Sequence, residues 1–451
     1  MRKRYETRMT RMGLLVGGLG LLLVAPAFGG DGACCDTQAA ASCDTGACCT
    51  DCDKVFQDAG SKLSDHLASC GTGCDSCDGG CDAGCDSCCD SGGCGSGCSL
   101  LGDCCLGDPW TLQDHLGLFV DDCGEKCITF GGWTQWGYTS EKTGNFNIND
   151  NGVYNNQSYL YVEKVADGSN GFDYGFRADV MYGVDGFAAQ SFGNQPGRWD
   201  FMNGWDRGRY GWAMPQAYGE VAYGDLSVIV GHFYTLVGYE VVTAPDNFFF
   251  SHAFTMFNNE PFTHTGALAT YSGIENVEVY AGWTAGWDTG FDRFNDGDAS
   301  DGSNFLGGAA VTITDDLTLT YIATVGDLGF RAEGYSHSVV LDAQLTEELN
   351  YVFHTDLVET NGGGDHQFSV NQYLLYWMND CLGFGGRAEW WKNSGSSIYE
   401  VTLGVNIKPT ANFIIRPEWR YQWDNDSVGT LAGLPAAEDE GFFAVDAIMT
   451  F

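Results

Sequence analysis

From Cys127 to its last residue the chain repeats one pattern, runs of about ten residues in which apolar and polar side chains alternate. Successive side chains on a strand point to opposite faces, so a period of two sorts them onto the two sides of a sheet. Phe172, Tyr174, Phe176, Ala178, Val180 and Tyr182 fall on one face. Asp173, Gly175, Arg177, Asp179 and Met181 fall on the other. The pattern returns over 277–287, 317–325, 349–357, 382–390, 399–407, 413–421 and 443–451. A soluble, half-buried strand alternates in the same way. Here, however, the apolar face stays rich in aromatics from run to run, and a sandwich would have to hide all of it between two sheets. Each run also has the length a tilted strand needs to cross the hydrocarbon of a bilayer.

The connectors alternate too. Thr314-Asp315-Asp316 and Thr346-Glu347-Glu348 are short, whereas 289–303 and 424–440 are long and polar. Short turns on one side and long loops on the other belong to transmembrane barrels. The expected fold class is all-β, a transmembrane antiparallel up-and-down β-barrel of about 14–16 strands, even in number as in single bacterial chains. Pro417 inside a run weakens that strand or marks a bulge. The last run ends on Phe451, with Met449, Ala447, Val445 and Phe443 on its face, and resembles the insertion signal of bacterial outer-membrane barrels.

Composition agrees. The chain carries 64 Gly and 14% aromatics, suited to curved strands and interfacial girdles. Its formal net charge of −39 excludes a nucleic-acid partner and docking on anionic lipid through basic patches.

The N-terminal third reads differently. Arg2, Lys3, Arg4, Arg8 and Arg11 precede the apolar stretch Leu14–Val24, and Ala25-Pro26-Ala27 offers a cleavage site. Residues 1–27 are therefore expected to be a signal peptide. A retained anchor is the alternative, but the stretch is short for a spanning helix. Residues 28–122 form a cysteine-rich segment, and residues 123–451 form the barrel. Nineteen of the twenty cysteines lie between Cys34 and Cys127. In an exported chain such density reads as disulfide cross-linking, with Cys74, Cys77, Cys85, Cys88, Cys123 and Cys127 as candidates. C-x-x-C pairs can also hold zinc, but the spacings are irregular. Phe56, Ala59, Leu63 and Leu67 recur at helical spacing. Asp108-Pro109 looks like an N-cap opening a second short helix toward Phe119.

The polar face of the strands holds Arg177, Asp179, Glu220, Glu278, Arg387, Glu389, Glu400, Arg416, Glu418 and Arg420. In a wide barrel these charges line a wet lumen and set selectivity. In a sandwich they would merely face solvent. The stretch Val241–Thr265 breaks the strand rhythm with two prolines and clustered Phe. It is expected to fold into the barrel as a constriction, with His252, Glu260 and His264 near the narrowest point. An external cap packed on its own Phe side chains is the alternative. No metal site and no cofactor are expected. The run 147–152 mimics a calcium loop but has Ser158 where the bidentate Glu belongs, so it reads as a polar turn. There is no P-loop, H-E-x-x-H or G-x-S-x-G, and no enzyme is expected.

Val230-Gly231-His232-Phe233-Tyr234-Thr235, Gly238-Tyr239-Glu240, Ala244-Pro245-Asp246-Asn247-Phe248, Ser251-His252 and Pro261-Phe262-Thr263-His264-Thr265-Gly266 carry a resemblance. They are similar to the β-barrel porin family of type 2, OmpL-like, of planctomycete bacteria, over roughly 130–451. The resemblance implies an outer-membrane channel for small solutes or ions, with no catalytic residue to carry over. The acidic balance favours cations. The other reading is a structural envelope protein, anchored by its barrel and cross-linked to envelope proteins through the cysteine-rich segment. The expected surroundings are outer-membrane lipid, small solutes or ions, and, in a homo-oligomer, further copies of the chain.

Overall fold

The computed structural model describes residues 104, 106–119, 126–143, 146–292, 302–361, 365–424 and 440–451. The signal peptide, the helix expected around Phe56–Leu67 and Cys74, Cys77, Cys85, Cys88 and Cys123 lie outside these residues.

The alternating runs become strands. They are β1 (Thr129–Thr139), β2 (Val153–Lys164), β3 (Phe172–Gly183), β4 (Gly211–Ala213), β5 (Ala217–Tyr223) and β6 (Leu226–Tyr234). There follow β7 (Thr263–Ile274), β8 (Val277–Thr284), β9 (Ser303–Thr314), β10 (Leu317–Asp327), β11 (Glu333–Gln344) and β12 (Leu349–Thr360). The last are β13 (His366–Asn379), β14 (Leu382–Asn393), β15 (Ser396–Thr410), β16 (Phe413–Asp424) and β17 (Glu440–Thr450). Neighbours pair antiparallel in chain order, and β1 returns to β17 with Trp133 opposite Thr450, which closes the sheet. β4 and β5 both lie along β3, with Tyr182 opposite Trp212 and Arg177 opposite Tyr218. They make one interrupted stave, so the seventeen segments form a sixteen-stave barrel.

Alternation decides what faces where. On β12, Asn350, Val352, His354, Asp356 and Val358 are buried, while Leu349, Tyr351, Phe353, Thr355 and Leu357 between them are half-exposed. The outward set across the barrel includes Phe172, Tyr223, Val230, Trp283, Leu403, Trp419 and Met449, all exposed. So broad a continuous apolar surface is a liability in water and the expected surface in lipid. Pro417 sits in β16 without a change of register. The β15–β16 ladder skips the Val405–Pro417 position and resumes at Ile407–Ile415, while Pro417 still lies opposite Val445 on the other side. The missing N–H of proline accounts for the gap.

The run expected over 277–287 is shorter than its pattern. β8 ends at Thr284, and Gly286 turns the chain with φ +107°. Trp287 therefore leaves the lipid face. It is buried against Leu328 and Val358, and its indole donates to Thr324 Oγ1.

Short turns collect at the end of the barrel that also holds both ends of the sheet; long loops collect at the other. The short-turn end carries a strap. Cys104 is disulfide-bonded to Cys381 in the β13–β14 turn. Farther along, Trp110 and Asn412 of the β15–β16 turn exchange two hydrogen bonds of 2.7 Å. A helix then runs over Leu112–Leu116. Its N-cap is Thr111, whose hydroxyl accepts from Asp114 N, and not Asp108 as the Asp-Pro pair suggested. Only Thr111 combines a side-chain acceptor with the extended backbone (φ −123°) immediately before the first turn. Buried Gln113 fixes the helix to the barrel by donating to Leu118 O and Ile128 O. Cys127 is disulfide-bonded.

Candidate functional site

Loop 235–262 leaves β6, turns into the lumen and returns to β7. The break expected over Val241–Thr265 ends earlier than its composition suggested, because β7 begins at Thr263. His264 is thus a strand residue. Its Nε2 lies 3.0 Å from Thr235 Oγ1 and its Nδ1 3.3 Å from Gly286 O, so it ties the loop's first residue to a neighbouring connector.

The loop is held on two sides. Near its own strands, Leu236 and Val237 pack with Phe233, Leu268, Tyr280, Leu306 and Ile322. Across the lumen it meets β14–β16, where charged side chains take its backbone. Glu418 accepts from Phe250 N and Ser251 N at 2.9 and 3.1 Å. Glu389 accepts from Phe254 N and Thr255 N, both at 2.7 Å, and so satisfies the first turn of the short helix Phe254–Asn259. Arg387 donates to Ser251 O at 2.7 Å, Arg420 to His252 O at 2.6 Å, and Arg416 to Ala244 O and Asn247 O.

These charges also compensate one another. Arg387 bridges Glu400 at 2.5 Å and Glu240 at 2.6 Å, Arg416 pairs with Asp446, and Arg420 lies 3.4 Å from Glu400. Each group is at most 8% exposed. Removing one partner from such a network leaves an uncompensated buried charge, at a cost of about 3–5 kcal/mol. Burial works against the Glu240 carboxylate, but Arg387 and then His252 outweigh it and hold its pKa well below the usual range.

Shape completes the fit. Phe248, Phe249 and Phe250 press into the wall where Gly385, Gly404 and Gly137 leave hollows. A Cβ on Gly385 would come within 2.2 Å of the Phe248 ring, and one on Gly137 within 2.3 Å of Phe250. Opposite β14, Gln157 donates to Val242 O and accepts from Ala244 N.

The family model described as "Putative beta-barrel porin-2, OmpL-like" matches residues 127–451. The chain belongs to this porin family. The family and the barrel place the porin in the outer membrane and mark it as a channel-type protein rather than an enzyme. Among solved structures it is similar to the anion-selective porin from Comamonas acidovorans, at 12% identity and TM-score 0.50, covering 72% of this chain and 99% of that one. It is also similar to a mutant of Rh. blastica porin, at 14% identity and TM-score 0.48, covering 72% and 100%. No curated protein matches it. In outer-membrane barrels the short turns are periplasmic, which assigns the strap at Cys104–Trp110 to the periplasmic side of the porin.

The ten inward charges expected from sequence fall into two sets. Arg387, Glu389, Glu400, Arg416, Glu418 and Arg420 form the dock just described. Arg177, Asp179, Glu220 and Glu278 lie on β3, β5 and β8. Arg177 pairs with Asp179 and Glu163, each at 2.9 Å. Glu220 accepts from Ser227 Oγ and Ala166 N near the periplasmic end, and Glu278 accepts from Tyr280. Of the three loop candidates, His252 sits beside Glu240 (Nδ1 to Oε2, 3.3 Å) and Glu260 meets β12. Sequence reasoning passed over Glu240, Glu163, Asp446 and Tyr373 of β13, whose hydroxyl donates to Glu240 at 3.1 Å. Asp446 was visible as a lone acid on the polar face of the last run, and Glu240 lay within the motif that carried the family resemblance.

Proposed function

We propose that this porin passes small hydrophilic solutes or ions by passive diffusion, and that loop 235–262 sets how much passes. The observation that carries the reading is the docking of a backbone-rich loop onto buried Arg and Glu of the far wall. A barrel needing only a membrane anchor has no use for charges buried behind its apolar face. At the periplasmic half of the lumen, Glu163, Glu220, Glu278 and Asp342 of β11, which accepts from Asn350, outnumber the cations Arg177 and Lys408, and this excess favours cations. Single-channel recording of the refolded chain tests the proposal. Small, cation-preferring steps are expected, growing when the dock is weakened. Silence from both the native chain and dock-weakened variants would overturn it.

The disulfide from Cys104 to the periplasmic rim favours a second role, as a barrel-anchored envelope protein cross-linked through its cysteine-rich segment. Reduction of native envelopes is then expected to release the porin from high-mass assemblies, with conductance unchanged.

A further inference from the structure

A second cluster of ionisable groups lies apart from the guanidinium dock, where the end of the loop meets β12. Glu260 comes from the loop, and His354 and Asp356 come from the inward face of β12. All three are at most 4% exposed. His354 Nε2 lies 2.8 Å from Asp356 Oδ1 and 3.6 Å from Glu260 Oε1. One donor atom from each residue falls within 4.8 Å of the other two.

Two oxygens of this cluster, Glu260 Oε1 and Asp356 Oδ2, are buried and accept no N–H or O–H from any other described residue, and the two carboxyls face only each other and His354. A buried carboxylate without a partner is costly. The arginines of the dock face other groups, Glu240, Glu400, Asp446 and loop carbonyls. Gly238 makes the approach feasible. Its φ is +96°, and a Cβ there would lie 2.0 Å from Glu260 Oε2, so only glycine lets that carboxylate sit where it does.

We propose that Glu260, His354 and Asp356 bind one divalent cation of the zinc type, which clips the loop to β12. Tetrahedral zinc with bonds of about 2.0–2.2 Å holds its donor atoms about 3.4 Å apart, between the two distances seen around His354 Nε2. An imidazole with two carboxylates suits zinc better than calcium or magnesium, which take all-oxygen sets. Zinc would replace the His354–Asp356 hydrogen bond and give both unpartnered oxygens a positive neighbour. Ser338 Oγ, 3.3 Å from His354 Nε2, is a further oxygen for a bound water to meet.

The test uses the full chain folded in detergent, stripped with chelator and titrated with zinc chloride. Calorimetry is expected to show one tight equivalent that is lost in both Glu260→Gln and Asp356→Asn. Zinc-edge X-ray absorption of the native chain is expected to show nitrogen and oxygen donors near ~2.0–2.2 Å. Equal binding by the native chain and both variants would overturn the assignment. So would a sulfur shell near ~2.3 Å, which would give the metal to cysteines. The absorption spectrum decides even where a variant fails to fold, and neither readout depends on conductance.

Discussion

The two walls that hold loop 235–262 use opposite chemistry. The near wall, β6–β10, grips Leu236 and Val237 with Phe233, Leu268, Tyr280, Leu306 and Ile322. The far wall, β14–β16, grips the loop backbone with Arg387, Glu389, Arg416, Glu418 and Arg420. Apolar contact is non-directional and tolerates small shifts. A hydrogen-bonded charge holds one geometry and is costly to leave unpaired. If the loop sets conductance as proposed, the near wall is its hinge side and the far wall its catch, whose release exposes charges to water that can solvate them.

The largest expected effect breaks the catch. Arg387→Met removes the cation shared by Glu240 and Glu400 and should cost about 3–5 kcal/mol of loop docking. Conductance should rise, and protease should reach 240–258 while the barrel still resists heating in detergent. A protected loop with native conductance would mean the catch is ornamental. Next comes shape. Gly385→Ala sets a methyl against the Phe248 ring and should cost about 1–3 kcal/mol, with frequent openings in recordings. Ile322→Val addresses the near wall. It should lower urea resistance by about 0.5–1.5 kcal/mol and leave single-channel conductance at the native level; an altered conductance would erase the distinction between the walls.

The smallest effect concerns the return of the loop to β7. Asp288 accepts from Phe262 N and Thr263 N, and burial raises its pKa from 3.8 to about 7. The folded state holds this proton more tightly than the unfolded chain does. Its contribution to stability is therefore full below pH about 4, declines as pH rises toward about 7 and is flat above. Asp288→Asn keeps the acceptor without the charge. Its melting temperature should exceed the native value at pH 8, by an amount equivalent to about 1 kcal/mol, and the gap should narrow at pH 5. A gap that widens on acidification would reverse the assignment.

Much of the barrel was legible in the sequence because a strand's side-chain period is unambiguous once one face meets lipid. The outward faces of β3, β12, β15 and β16 follow the alternation residue by residue, and β14 departs from it at Leu382, which is buried next to Cys381. The inserted loop was legible as a loss of that alternation between Val241 and Pro261. Its end was misjudged because Thr263-His264-Thr265 fits a polar loop as well as a strand near the rim. Trp287 was misplaced because a period of two continues through Gly286 on paper, whereas its positive φ ends the strand. Partners in the dock were not legible. Phe254 and Glu389 stand 135 residues apart, and Phe250 and Glu418 168. Alternation tells that an acid points inward and says nothing of what it meets there. Separation along the chain also hid Glu260 from His354.

The bond between Cys104 and Cys381 has a topological consequence. It spans 277 residues and encloses β1–β13 in a covalent macrocycle, leaving β14–β17 as a tail. Boiling in detergent melts the sheet but not this lasso, so the oxidised chain should run ahead of the reduced one on a gel. The lasso cannot close until residue 381 has been exported, which puts oxidation late in biogenesis, after most of the barrel has already crossed the inner membrane.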